Sequence, residues 1–167
     1  MNVIRLYRPV WPRYVLAAVV VAALGIAGAA FAGECPADQR VADGKGQPPG
    51  PTMPVGVTDV VRASTDLARE PLALQGRQFR LRQLEMQPGG IVPWHSHNER
   101  PAQIYVVKGT IVEFASNCAV PIVHNTGDIT PEGRGTSHWW QNQTKEPVVL
   151  ISVDILDDRA NQDKHVM

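Results

Sequence analysis

Three of the five histidines stand at spacings that suit metal binding. His95 and His97 are two apart in Pro93-Trp94-His95-Ser96-His97. On a β-strand, residues i and i+2 project from the same face, so both imidazoles can reach one point. Neutral imidazole is a ligand for zinc, iron, copper and nickel. A His-x-His pair alone does not define a site. His138 offers a third donor after the glycine turn Gly133-Arg134-Gly135-Thr136-Ser137, though local sequence does not place it beside the first pair. His124 reads as an exposed or strand-edge histidine, and His165 falls in a polar tail and is given no role.

Strands must hold these side chains. After Gly76, Phe79 and Leu81 alternate with Arg80 and Arg82, and Leu84 and Met86 then take the opposite parity. Alternation marks a half-buried strand, and the parity change predicts a bulge. Pro88-Gly89-Gly90 reads as a turn. Residues 104–107 and 110–114 flank Lys108-Gly109 and read as a hairpin. Short strands surround Asn125-Thr126-Gly127, and residues 148–155, apolar on both faces for much of their length, read as a central strand. Residues 59–66 fit either a helical turn or a short strand. No long segment carries the 3.6-residue period, so the fold class is all-β, a sandwich or barrel.

In this setting the spacing resembles the two motifs of the cupin superfamily. Gly89, His95, His97 and Gly109 fall at positions of the first motif, and Gly127, Gly135, His138 and Asn142 at positions of the second. The resemblance covers residues 89–142. It implies a double-stranded β-helix, or jelly-roll barrel. It also implies that the two motifs face each other and that His95, His97 and His138 share one divalent transition metal, with Fe(II) favoured and Mn, Zn, Ni or Cu as alternatives. Gly133 stands where the second motif has proline, which only loosens a turn.

The second departure is chemical. The glutamate that completes the usual cupin site should lie at Pro101 or Ala102, and neither is a carboxylate. Ala102 shares parity with Ile104 and Val106, so all three are expected to line the cavity, with Trp140 beside His138. Three readings of the gap compete. One is a three-histidine site with open positions, as in cupin-like dioxygenases that act on thiols or diketones. The others fill the gap with Glu99 or Gln103 as an extra ligand. A site without its carboxylate is one unit more positive and should favour an anionic ligand. The resemblance therefore implies a metal-dependent, dioxygenase-like oxidoreductase acting on a small molecule, or a barrel that binds a metal or small ligand without turnover. Catalytic residues beyond the ligands are not assignable. By family analogy the chain should pair into a homodimer.

The remaining segments bear on where the barrel works. Residues 1–32 carry Arg5, Arg8 and Arg13 without an acid, then an uncharged stretch ending in Ala30-Phe31-Ala32. That order reads as a signal peptide, with an uncleaved N-terminal membrane anchor as the alternative. Glu34 before Cys35 argues against lipidation. The expected location is periplasmic or extracellular, or anchored to the inner membrane with the barrel outside the cytoplasm. There Cys35 and Cys118 can persist as a disulfide. Sixteen basic residues balance sixteen acidic ones over the whole chain. The part after residue 32 is acidic, which argues against a nucleic-acid partner. Residues 33–58 read as a Pro/Gly-rich strap, 59–156 as the barrel and 157–167 as a polar tail.

Overall fold

Strict alternation of inward and outward side chains builds the structure, a computed structural model that describes residues 33–159. The chain divides into two units, Met1–Ala30 and Phe31–Met167, and the barrel lies within the second. The reading of residues 1–32 as a signal peptide or anchor, and His165 with most of the tail, lie outside the described residues.

The described residues form eight strands: β1 (Val55–Asp66), β2 (Arg77–Ser96), β3 (Ala102–Lys108), β4 (Thr110–Ala115), β5 (Ile122–Asn125), β6 (Ile129–Glu132), β7 (Ser137–Gln141) and β8 (Val148–Asp157). They make one antiparallel sheet in the order β5-β4-β7-β2-β8-β3-β6, with β1 also on β2. The 20-residue β2 is the spine. Its first half lies between β1 and β8, and its second half pairs with β7. The sheet thus curls into the two halves of a jelly roll. Pro88-Gly89-Gly90 is not a turn but a bend inside β2, where Gly89 takes a φ of 76° that a side chain would oppose.

Several local readings change. Residues 59–66 are strand, and β1 already begins at Val55, inside the segment read as strap. Phe79 and Leu81 face outward, 47% and 37% exposed, while Arg82, Leu84 and Met86 are buried. One parity therefore runs through, and the β2–β8 register is unbroken from Arg77 to Met86, without the expected bulge. β3 and β4 do not form a hairpin. β3 pairs with β6 and β8, and β4 with β5 and β7, so Lys108-Gly109 is a corner where the chain changes halves. β8 lies between β2 and β3, as the apolar run suggested.

The interior is graded from apolar to charged. β8 turns Val148, Leu150, Ser152 and Asp154 inward, and β2, running the other way, turns Met86, Leu84 and Arg82 inward. The apolar end is closed by Val92, Ile104, Val106, Ile111 and Trp140. Each such side chain contributes roughly 1.5–3 kcal/mol when buried. At the other end Arg80 grips Asp154 with two hydrogen bonds of 2.9 and 2.7 Å, and Arg82 pairs with Asp59. Pairing is what makes these buried charges tolerable.

The strap is fastened to the barrel. Cys35 and Cys118 form a disulfide across a sequence separation of 83. Val41, Gly46 and Gln47 N–H groups donate to the carbonyls of Asn117, Ser116 and Ala115 at 3.0, 2.7 and 2.9 Å.

Candidate metal centre

A bulge in β2 sets the histidine pair. Val92 faces Trp140 across the β2–β7 ladder, whereas His95 faces His138, so three residues on β2 match two on β7. The extra residue lets both Val92 and His95 point inward. Pro93 lacks an N–H to lose, and the Trp94 N–H donates to Pro51 of the strap at 2.7 Å. From the bulge onward the period of two holds, and His97 joins His95.

The structure brings His95, His97 and His138 together. Their Nε2 atoms lie 3.0 Å (His95–His97), 2.9 Å (His97–His138) and 3.3 Å (His95–His138) apart. Each Nδ1 has an oxygen to donate to. His95 donates to the Pro93 carbonyl and His97 to the Arg100 carbonyl, both at 2.8 Å, and His138 to Glu113 Oε1 at 2.5 Å. A carbonyl only accepts, so on His95 and His97 the proton sits on Nδ1 and the Nε2 lone pair points inward, while Glu113 fixes the His138 ring with Nε2 turned the same way. Three imidazole nitrogens converging on one buried point are the donor set a cation needs. Nitrogens about 2.1 Å from one ion are about 3.0 Å apart at right angles and about 3.4 Å apart in a tetrahedron. The observed set fits one face of a metal's coordination sphere, and the Nδ1 bonds are the outer partners that orient such ligands. Burial, reinforced by the neighbouring histidines, holds His95 well below the usual imidazole range. Burial with His138 and Arg100 takes His97 to about 3. For His138 burial works downward, but Glu132 and Glu113 facing it leave it raised.

A carboxylate from another strand lies beside the motif-one gap. Glu99 and Gln103 are exposed and do not join the histidines. Ala102 is directly paired with Glu132 of β6, whose side chain points inward and is buried. Glu132 Oε2 is 3.3 Å from His97 Nε2, and its Oε1 is 3.3 Å from His138 Nε2. The expectation of a site short of one negative charge is therefore corrected: a carboxylate is present, one strand over. Burial, with Glu113 nearby, raises Glu132 to about 7 against the opposing pull of His138 and Arg100.

A second carboxylate lies behind the site. Glu113, at the inward parity of β4, accepts from His138 on one oxygen and from His124 Nε2 on the other, at 2.8 Å. Burial would raise it, but the two histidines take it down to about 2. His124 is fully buried although it lies on β5 at the edge of the sheet, which overturns its reading as exposed. Its Nδ1 lies 2.9 Å from Thr130 Oγ1, which donates to the Gly33 carbonyl at 2.8 Å. Glu113 and Glu132 escaped the sequence reading. The available signal was a charged residue at a strand parity otherwise occupied by inward side chains, as in Ile111-x-Glu113-x-Ala115.

Residues 82–154 match the family model described as Cupin domain, Cupin_2. This segment is a cupin domain. Among curated proteins no sequence matches the chain. Solved structures superpose on part of the chain. KdgF from Halomonas sp. superposes with a TM-score of 0.48 at 15% identity, over 63% of this chain and 84% of that one. The Schizosaccharomyces pombe Cnp3 cupin domain gives 0.47 at 18% identity, over 68% and 74%. A Cupin_2 domain of an XRE family transcriptional regulator from Enterobacter cloacae gives 0.47 at 11% identity, over 60% and 96%.

Inside this domain His95 and His97 open on a cavity of about 20 Å³, walled by Ile104, Trp140, Leu84, Val92 and Leu150, with Arg82, Arg100 and Glu132 at its polar side. Of the residues expected to line it, Ile104 and Trp140 do. Val106 is buried in the apolar cluster and Ala102 is buried beneath Glu132's strand partnership, and neither borders this cavity. Trp139 faces outward and stacks on Phe114 with ring centroids 4.1 Å apart. Tyr105 and Arg134 are exposed.

Proposed function

We propose that this chain is an exported metal-binding cupin that holds a divalent transition metal, Fe(II) in the first instance, through His95, His97 and His138. The observation that carries the reading is the convergence of three Nε2 atoms whose rings are each fixed through Nδ1 by an oxygen acceptor. When bound, a redox-active metal would supply electron transfer to dioxygen for the oxidation of a small molecule. The chain's own residues would hold the three imidazoles in one tautomer, keep the site dry with the Ile104–Trp140 wall, and present Arg82 and Arg100 to the polar part of a substrate. Export is supported by the signal-peptide pattern of residues 1–32 and by a disulfide, which persists in oxidising compartments. A homodimer is supported by Phe79, Leu81, Tyr105 and Ile129, large apolar side chains exposed on the outer face of β2, β3 and β6.

One observation favours the second reading, a barrel that binds its metal without turnover. The cavity of about 20 Å³ has room for little more than one water. Metal analysis of the purified protein and of His138→Ala tests the site, and equal contents would remove His138 as a ligand. Oxygen uptake by iron-loaded protein across thiols, diketones and phenols separates the two readings. Uptake with one class supports the oxidoreductase, and ligand-induced stabilisation without uptake supports the binder.

A further inference from the structure

We infer that Glu132 is a fourth ligand of the metal, supplied from β6 in place of the carboxylate that β3 lacks. The inference rests on the proposed three-histidine site. Its own support is geometric. Glu132 is 4% exposed, and its Oε1 has no hydrogen-bond partner although it lies 3.3 Å from His138 Nε2. Glu113 engages His138 through Nδ1, which leaves Nε2 as the atom that can bind a cation. A buried carboxylate oxygen left without a hydrogen bond is costly, and a cation shared with the imidazole nitrogen would satisfy it. Oε2 faces His97 in the same way at 3.3 Å.

The strand register explains how the carboxylate reaches this place. Ala102 and Glu132 are paired neighbours on β3 and β6, and both turn inward. Cross-strand partners have Cβ atoms about 5 Å apart, a gap that the length of a glutamate side chain spans. Alanine at 102 leaves the volume that a glutamate there would occupy. Among the described residues around the histidines, no other carboxylate competes for the role. Glu99 is exposed, and Glu113 is already bound by His138 and His124 on the far side of the imidazole.

The test titrates metal-free full-length protein with Co(II) and Mn(II), reading affinity by competition with a chelator, the Co(II) absorption spectrum and the Mn(II) resonance. Wild type should take up one equivalent and His138→Ala should lose it. Glu132→Gln should weaken binding on the order of tenfold or more and change the Co(II) spectrum. Adding Ala102→Glu to Glu132→Gln, which returns a carboxylate to the opposite strand, should restore both. Binding by wild type with unchanged affinity and spectrum in Glu132→Gln overturns the inference and leaves a three-histidine site. No binding by wild type overturns the underlying reading instead. Circular dichroism reports folding. Should Glu132→Gln unfold, the double variant decides: wild-type-like binding and spectrum support Glu132, and folded protein without them overturns it.

Discussion

At the residue scale, the site is governed by which atom of each side chain is already committed. Glu113 illustrates this. It holds His138 by Nδ1, so Glu113→Ala should weaken Co(II) binding about tenfold to a hundredfold without removing any ligand, and a chelator competition measures it. The pH response follows from opposed shifts. His97 sits near 3 when folded against 6.5 when free. Below 6.5 the unfolded chain takes a proton that the native state refuses, so stability falls as pH drops from 6.5 towards 3. Glu132 sits near 7 against 4.5. There the native state keeps a proton that the unfolded chain releases, so stability falls as pH rises from 4.5 through 7. The two oppose each other between 4.5 and 6.5. Metal-free Glu132→Gln should therefore gain stability with pH more steeply than wild type across that window. Urea midpoints at pH 5, 6 and 7 check it, and parallel slopes would remove Glu132's titration as a contributor. His95 and His97 were legible from their spacing within one strand, and His138 from its register in the second of two motifs. Glu132 was not, because it reaches the site through strand pairing, and register across β3 and β6 is not written in the spacing along either.

At the element scale, the strap and β2 carry the consequences. The fold class and strand-rich character could be read from alternation, and the central place of β8 from its being apolar on both faces. The β2 parity could not, because Phe79 and Leu81 look like inward residues while Arg80 and Arg82 look like outward ones. Only the buried Asp154 and the part-buried Asp59, brought in by β8 and β1, make the reverse arrangement stable. The corner at Lys108-Gly109 mimics a hairpin turn for a similar reason: local turn chemistry does not say which neighbour a strand will choose. The strap allows two measurements. Joining residues 83 apart, the disulfide should contribute about 4 kcal/mol through the unfolded chain, and denaturation with and without reductant reads that difference. Gly46 runs so close to the Ala115–Cys118 loop that a Cβ there would overlap the backbone O and N of Cys118 and the carbonyl of Ala115. Gly46→Ala should cost about 1–3 kcal/mol and open the strap to proteolysis, while the disulfide keeps it tethered. Unchanged stability and protease resistance would show that the strap can shift at no cost.

At the scale of the whole molecule, polarity is distributed in an unusual way. Charges that would normally dress the surface, Arg82, Arg100, Glu113, Glu132 and Asp154, are buried, and Phe79, Leu81, Tyr105 and Ile129 are left outside. Tyr105 and Ile129 are paired neighbours on β3 and β6, and Leu81 is paired with Val153 of β8, which lies between β2 and β3. The exposed residues thus belong to one sheet face and not to scattered positions. A contiguous apolar face on a soluble domain marks an association surface, and the proposed occupant is a second copy of this chain. Such a dimer would bury the face isologously, with each β2–β8–β3 surface against its twin. Leu81→Arg places a charge in the middle of that face while leaving the inward parity of β2 untouched. The expected outcome is a wild-type dimer and a monomeric variant in sedimentation velocity, with metal affinity equal in both because the histidines face the other side of the sheet. A wild type that sediments as a monomer at all concentrations would remove the dimer. A variant that loses metal along with its partner would instead mean that the outer face and the histidine face of β2 are energetically coupled.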